Sequence, residues 1–89
     1  MTYRIEITAS ARKEMDALPA DTHRRIAQAI LGLKSDSRPH PQSKKLRSPL
    51  EGYRIRIGTW RVLYVVNDDE ALIIVYAVRH RREAYRKRR

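Results

Sequence analysis

Apolar and polar side chains alternate along the first and the last third of this chain, which is the pattern of half-buried β-strands. Residues 2–7 and residues 53–57 alternate strictly, and a further strand is predicted at residues 60–66. Residues 71–78 form a nearly continuous apolar run, which is typical of a central strand covered on both faces. The polar residues 67–70 separate the last two strands and predict a turn.

Between the first strand and the later ones, apolar residues recur at helical spacing. Thr8 or Ser10 can cap a first helix, and Pro19 ends it. Asp21 can cap a second helix. The two apolar faces comprise Ala11, Met15 and Leu18 in the first helix, and Ile26, Ala27, Ile30 and Leu33 in the second. Two helices joined by a proline-containing turn predict an αα-hairpin.

Residues 35–52 interrupt this periodicity with three prolines and a group of basic side chains. They predict a basic loop with little regular structure, and a loop of this length in a small domain is usually functional or disordered. Residues 80–89 predict a short basic helix or a tail. The order of elements predicts one α+β domain over residues 1–89: an N-terminal strand, an αα-hairpin and an antiparallel three-stranded meander in one antiparallel sheet, with the helix pair on one face.

The register of the first hairpin of the meander can be predicted from its loop. Gly58 in the first position of a two-residue loop favours a type II′ turn, and the loop then places Arg56 opposite Arg61. Alternation puts one set of side chains on the core face: Tyr53, Ile55, Ile57, Trp60, Val62 and Tyr64. Core packing is therefore the favoured role of Trp60 over base stacking. The other face carries Arg54, Arg56 and Arg61.

Arg56 and Arg61 repel each other across the hairpin, and directly opposed like charges destabilise a strand pair. The pairing is explained if an anion lies between them, since local rules are broken mainly at functional sites. The alternative is that the arginines only keep an outer face hydrated and discourage edge pairing.

Charge points to the same class of partner. Twenty Lys and Arg against ten Asp and Glu give a formal net charge of +10, and residues 79–89 hold seven basic residues and one acid. A strongly basic small protein favours a polyanion such as nucleic acid, although charge also serves solubility alone. The absence of cysteine excludes disulfides and thiolate metal sites. No apolar run suits a signal peptide or a membrane span, so a cytoplasmic protein without membrane contact is expected.

The sequence contains no motif typical of a metal site or a cofactor site. The three histidines are scattered, and the acidic residues 68–70 lie together in a predicted turn, which explains them without a metal. A phosphate-cradling glycine-rich loop and a nucleophile elbow are both absent from the sequence. We therefore expect no cofactor and no metal.

The stretches KKLRSPLEGYRIRIGTWRVLYVV and VRHRREAYR resemble the RelE branch of the RelE/ParE toxins, and the opening TYRIEITASARKEMDALP is similar to the first strand and helix of that superfamily. The resemblance covers nearly the whole chain. It implies the toxin of a type II toxin–antitoxin system, a metal-independent endoribonuclease that cuts messenger RNA in the ribosomal A site. In the family the ribose 2′-hydroxyl attacks the adjacent phosphorus and leaves a 2′,3′-cyclic phosphate and a 5′-hydroxyl.

The resemblance also implies roles for individual residues. Those that match catalytic positions are Arg54, Arg56, Arg61, Arg81 and Tyr85, and those expected to bind RNA are Lys44, Lys45, Arg47, Arg79 and Arg82. Arg54 and Arg56 stand where the family often has lysine. Because arginine does not lose its proton, neither can be the general base. Tyr85 is the candidate for that role, with neighbouring arginines lowering its pKa, and Lys44 and Lys45 are the alternatives.

Two other functions fit the same features. ParE-like members of the superfamily poison DNA gyrase by binding it, and a non-catalytic module could bind nucleic acid through the basic tail alone. Tyr85 after Arg81, with three arginines on one face, favours the ribonuclease. The resemblance implies two kinds of partner: the messenger RNA and 16S ribosomal RNA of the A site, and an acidic, partly helical antitoxin. The antitoxin would cover the arginine face or displace the terminal segment in a hetero-oligomer.

Overall fold

The computed structural model describes the backbone of residues 2–84, which forms a five-stranded sheet with two main helices. The order of the strands across the sheet is β1-β5-β4-β3-β2. The strands are β1 (Arg4–Ile7), β2 (Ser43–Lys45), β3 (Tyr53–Ile57), β4 (Trp60–Asn67) and β5 (Leu72–His80). The helices are α1 (Ala9–Asp16), α2 (Ala20–Gly32) and the single turn α3 (Arg81–Ala84).

The predicted α+β class and the meander of β3, β4 and β5 are confirmed, with β5 a central strand. The sheet is mixed, however, and not wholly antiparallel as expected. β1 runs parallel to β5, with Arg4 opposite Leu72 and Ile7 opposite Val75. Pairing between the two ends of the chain is a long-range event that local alternation does not encode.

The interpretation of residues 35–52 as a loop with little regular structure is wrong for its middle. β2 forms there and pairs antiparallel with β3, with Lys44 opposite Arg54. An edge strand of three residues needs no alternating apolar face, because it lies largely in solvent and contributes backbone hydrogen bonds. The polar sequence Ser43-Lys44-Lys45 therefore gave no strand pattern.

The helix caps agree with prediction at one helix and differ at the other. Thr8 caps α1, since its hydroxyl accepts a hydrogen bond from the Ala11 amide at 3.2 Å. Asp21 does not cap α2: Pro19 occupies the cap position, and Asp21 lies in the first turn, where it accepts a bond from Arg24 Nη1 at 3.3 Å. Proline suits a helix start because its missing N–H would have no helical partner there.

The core lies between the helix pair and one face of the sheet. Gly58 has a φ of 60°, while Thr59 stays outside the left-handed region, as the predicted type II′ turn requires. The predicted core face of the hairpin is confirmed, with Ile55, Val62 and Tyr64 buried in the main cluster and Tyr53, Ile57 and Trp60 packed against it. The helices contribute Ala11, Met15, Ile26 and Ile30, and Leu33 follows α2.

Candidate functional site

Three arginines stand side by side on neighbouring strands of the sheet face that points away from the helices. The predicted pairing of Arg56 with Arg61 is confirmed in the β3–β4 register, and Arg61 is in turn opposite Arg79 on β5. We call Arg56, Arg61 and Arg79 the arginine row. Like charges in adjacent cross-strand positions cost stability, so this row raises the question of what offsets the repulsion.

A β-bulge brings Arg79 into the row. Tyr64 pairs with Val75, but the preceding residue Leu63 pairs with Ala77, so Tyr76 is an extra residue on β5. Without it, Val78 would lie opposite Arg61 and Arg79 would point into the core. The bulge therefore assigns Arg79 to the same face as Arg61.

Arg61 is the most enclosed member of the row, with 8% of its surface exposed. Its Nη1 donates to the backbone carbonyls of Gly58 at 3.2 Å and Trp60 at 3.1 Å. Its Nε is buried, and the described residues offer it no acceptor. Leaving a buried donor unpaired costs about 1–3 kcal/mol, and such groups in native proteins usually have a functional reason.

A second, mixed row runs beside the first. Lys44 on β2 is opposite Arg54 on β3, and Leu63 and Ala77 continue the row across β4 and β5. Arg54 Nη1 donates to the Gln42 carbonyl at 2.9 Å, which ties the side chain to the residue that precedes β2. The same carbonyl accepts the Arg56 amide at 3.1 Å. The basic face thus extends from the arginine row to the β2 edge.

The residues that follow β5 reach the hairpin turn. The Arg81 amide donates to the Thr59 carbonyl at 2.7 Å, so α3 begins beside the turn whose Gly58 carbonyl also binds Arg61. Arg81 and Arg82 are exposed. This contact places the start of α3, including Arg81, beside the turn that joins the two strands carrying Arg56 and Arg61.

Three of the predicted site residues are not placed with this cluster. Lys45 is opposite Tyr53, so alternation directs it to the face away from Lys44 and Arg54. Arg47 is exposed, and its own carbonyl accepts the Leu50 amide at 3.0 Å, which closes a turn. Tyr85 lies outside the described residues, so its predicted role as general base stays a prediction.

Glu14 of α1 is the functional candidate that the sequence did not reveal. Its Oε2 accepts the Arg79 Nε at 2.7 Å, and its Oε1 accepts the Val78 amide at 2.8 Å. Glu14 is thus the one carboxylate bound to the arginine row among residues 2–82. On α1 it resembled any exposed helix acid, and only the long-range packing of α1 on β5 gives it this position.

Two other kinds of feature are absent from the described part of the chain. No three His, Cys, Asp or Glu side chains within residues 2–82 come together in a way that could hold a metal ion. No helix within residues 2–84 has the length and apolar character needed to cross a membrane.

Comparison with known proteins gives consistent matches over most of the chain. Residues 5–85 match the family model for the ParE toxin of the type II toxin–antitoxin system parDE. A Methanocaldococcus jannaschii protein named as a RelE1 toxin is 33% identical over 97% of this chain and 98% of its own length. Toxin RelG of Mycobacterium tuberculosis is 31% identical, covering 98% of this chain and 100% of the relative. The toxin–antitoxin complex RelBE2 of M. tuberculosis contains a similar fold, with a TM-score of 0.79 and 28% identity over 91% of this chain and 100% of that one.

Proposed function

The chain belongs to the RelE/ParE superfamily as a RelE-family toxin of a type II toxin–antitoxin system, and from this premise we propose that it is a metal-independent endoribonuclease that cleaves messenger RNA in the ribosomal A site. The observation that carries the proposal is the arginine row, whose buried Arg61 has a donor without an acceptor. A phosphate oxygen accepts hydrogen bonds from guanidinium groups, so a bound phosphate would offset the repulsion along the row.

The proposed reaction uses a nucleophile that RNA itself supplies. The ribose 2′-oxygen bonds to the adjacent phosphorus as the bond from phosphorus to the 5′-oxygen breaks, which yields a 2′,3′-cyclic phosphate and a 5′-hydroxyl. Charge grows on the non-bridging oxygens and on the leaving oxygen. Preorganised guanidinium donors of Arg56, Arg61 and Arg79 would stabilise that charge, with Arg81 beside them. Lys44 and Arg54 would bind the neighbouring backbone phosphates.

The proton of the 2′-hydroxyl needs an acceptor that the arginines cannot provide. We assign that role to Tyr85, which has Arg81, Arg82 and Arg86 near it in the sequence, because nearby positive charge favours a phenolate. In this proposal Arg47 and Arg82 add to the affinity for RNA. Lys45 also does so if the RNA reaches the opposite face of β2. Lys44 is the alternative base, because it lies in register beside Arg54 on the basic face.

Ribosomes stalled on a defined messenger with an empty A site provide the direct test. The purified toxin is added, and new RNA ends are mapped by primer extension. We expect a cut at the A-site codon that is lost when Arg61→Ala and Arg81→Ala are combined, because both changes remove charge from the cluster. A matched control, Arg4→Ala with Arg24→Ala, removes the same charge from exposed side chains paired with Glu6 and Asp21 and should still cut.

Each outcome of this experiment has a defined meaning. Cleavage by both variants would contradict the assignment of the arginine row as the site. Cleavage of the same messenger without ribosomes would retain the chemistry and reject ribosome dependence. Binding without any scission by the wild-type toxin would reject the enzyme and favour a nucleic-acid-binding module.

A second candidate function is poisoning of DNA gyrase, which the name of the matching family model favours. The fold and the basic character would serve this activity equally well. Gyrase-dependent DNA breaks on induction of the toxin, with messenger RNA intact, would establish this function instead. We favour the ribonuclease because three guanidinium groups on adjacent strands suit the charge that develops during phosphoryl transfer.

The neutralising partner we propose is an acidic, partly helical antitoxin, since the similar M. tuberculosis structure is a toxin–antitoxin complex. It would cover the arginine face or displace the terminal segment in a hetero-oligomer. Charge reversal at Arg54, Arg56 and Arg61, or removal of residues 80–89, should weaken its binding. Affinity unchanged by either alteration would disprove this mode of neutralisation.

A further inference from the structure

β5 extends beyond the end of its neighbour β1. The last backbone contact between the two runs from the Thr8 amide to the Val75 carbonyl at 2.9 Å, and α1 begins at Ala9. The residues of β5 after the bulge, including Val78 and Arg79, therefore have no strand beside them on that side. Such an edge normally needs a cap, because unpaired backbone groups are costly when partly buried.

Glu14 provides that cap and holds an arginine with the same carboxylate. One oxygen accepts the Val78 amide at 2.8 Å and the other accepts the Arg79 Nε at 2.7 Å. Both side chains are partly shielded, with 29% of Glu14 and 37% of Arg79 exposed. An isolated surface ion pair is worth little, but a pair anchored to a backbone amide has a defined orientation.

The contact determines which donors Arg79 can offer. Arginine presents its donors in a rigid planar fork, so a bond at Nε restricts the orientation of the whole guanidinium. With Nε engaged by Glu14, the Nη groups remain for an incoming anion. Arg61 lies next in the row, so an anion bound by Arg79 would also be attracted by the charge of Arg61.

We infer that Glu14 is a positioning residue for RNA cleavage, which holds Arg79 so that its Nη donors meet the scissile phosphate. This inference rests on the proposed ribonuclease function. Glu14 itself touches no substrate in this proposal and acts through Arg79. Its second effect is electrostatic, since one carboxylate at the end of the row offsets part of the repulsion among three arginines.

The test variant is Glu14→Gln, which separates the two hydrogen bonds. The amide oxygen of glutamine can still accept the Val78 amide, so the link between α1 and β5 is retained. Its NH2 group then faces the Arg79 Nε, and two donors cannot bond. Asp16→Asn is the matched control, because it removes one acid from the same helix at a site paired with His23 and not with the row.

Cleavage of messenger RNA on stalled ribosomes is measured at single turnover over a range of toxin concentrations. The proteins compared are the wild type, Glu14→Gln, Asp16→Asn, Arg79→Ala and the double variant Glu14→Gln/Arg79→Ala. We expect Glu14→Gln to lower the maximal rate about 10- to 100-fold while half-saturation is unchanged or tighter, since misplacement of a fixed group costs rate. In the Arg79→Ala background the same change should have no further effect. Asp16→Asn should match wild type.

Two results would overturn the inference. One is that Glu14→Gln lowers the maximal cleavage rate equally with and without Arg79, together with a parallel fall in melting temperature. That result would indicate a purely structural link. The other is wild-type cleavage that Glu14→Gln leaves unchanged. Failure of the wild type to cleave would instead reject the proposed function, and the assignment of Glu14 with it, so the two failures are distinguished by the wild-type arm.

Discussion

Arg38 and Arg61 lie near opposite ends of the hairpin strands and have very different surroundings. Arg38 donates to Asp68 at 2.8 Å and to the Ser37 hydroxyl at 3.0 Å, and its guanidinium carbon is 5.1 Å from the ring centroid of Tyr53. Arg61 has two backbone carbonyls, two arginine neighbours in register and an unpartnered Nε. The first arginine has a carboxylate partner of its own, and the second does not.

We interpret this difference as separating an arginine that stabilises the fold from one that is available to a ligand in the proposed function. Asp68 also accepts the Tyr3 hydroxyl, so the Arg38 end links the segment after α2 to β1 and to the turn between β4 and β5. Along the arginine row, one carboxylate, Glu14, bonds to one of the three guanidinium groups, that of Arg79, within residues 2–82. Positive charge in excess of its partners favours an anion site on this surface.

Replacement of Arg61 should affect cleavage strongly, whereas replacement of Arg38 should affect stability. Arg61→Ala should lower the single-turnover rate about 10²- to 10³-fold, as loss of a transition-state donor does, while stability changes by less than about 1 kcal/mol. Arg38→Ala should lower stability by about 1 kcal/mol and leave the rate per folded molecule unchanged. Urea unfolding and primer extension measure the two quantities, and an exchange of the two phenotypes would refute the assignment.

A smaller effect is expected from a buried hydroxyl near the Arg38 end. Tyr64 is fully buried, and its hydroxyl donates to the Ser37 carbonyl at 2.7 Å. Burial raises the pKa of Tyr64 to about 12, so the donor stays protonated at neutral pH. Tyr64→Phe should cost about 1–2 kcal/mol in urea unfolding, because the Ser37 carbonyl loses its partner. Tyr76→Phe is the control, since the Glu51 carbonyl that it frees remains accessible to water; equal losses would contradict this account.

The smallest effect concerns acid stability at the same end. The Tyr3 hydroxyl, and after it Arg38, lower the pKa of Asp68 below its ordinary value. A carboxylate with a lowered folded-state pKa contributes stability above its unfolded pKa of about 3.9 and loses it as pH falls through the folded pKa. Asp68→Asn should therefore destabilise the protein at pH 7 but have little effect once wild-type Asp68 is protonated in acid. Urea midpoints at the two pH values measure this, and a difference that persists in acid would argue against it.

The sequence predicted the hairpin of β3 and β4 to the residue but not the next hairpin. Two loop residues with Gly58 first leave only one register, so Arg56 opposite Arg61 followed directly. The bulge at Tyr76 carries no comparable signal, because tyrosine fits equally well in a regular strand. For this reason Arg79 was expected to bind RNA but could not be assigned to the arginine row.

The features that the sequence did not predict, which are β2, the pairing of β1 with β5 and the position of Glu14, depend on contacts between distant residues. β2 consists of three polar residues that pair only because β3 lies beside them. β1 pairs with β5 although most of the chain lies between them in the sequence. Glu14 lies 65 residues from Arg79, and its spacing in α1 is that of any solvent-facing acid. Tertiary packing supplied what local propensity and alternation could not.

The unsatisfied charge of the arginine row also couples folding to binding. Any anion that bonds to the row in the native state, and not in the unfolded chain, shifts the unfolding equilibrium by mass action. Under the proposed function, the toxin bound to RNA or to an acidic antitoxin would be more stable than the isolated toxin. Chains newly made without such a partner would be the least stable population, and thus the one most exposed to proteolysis.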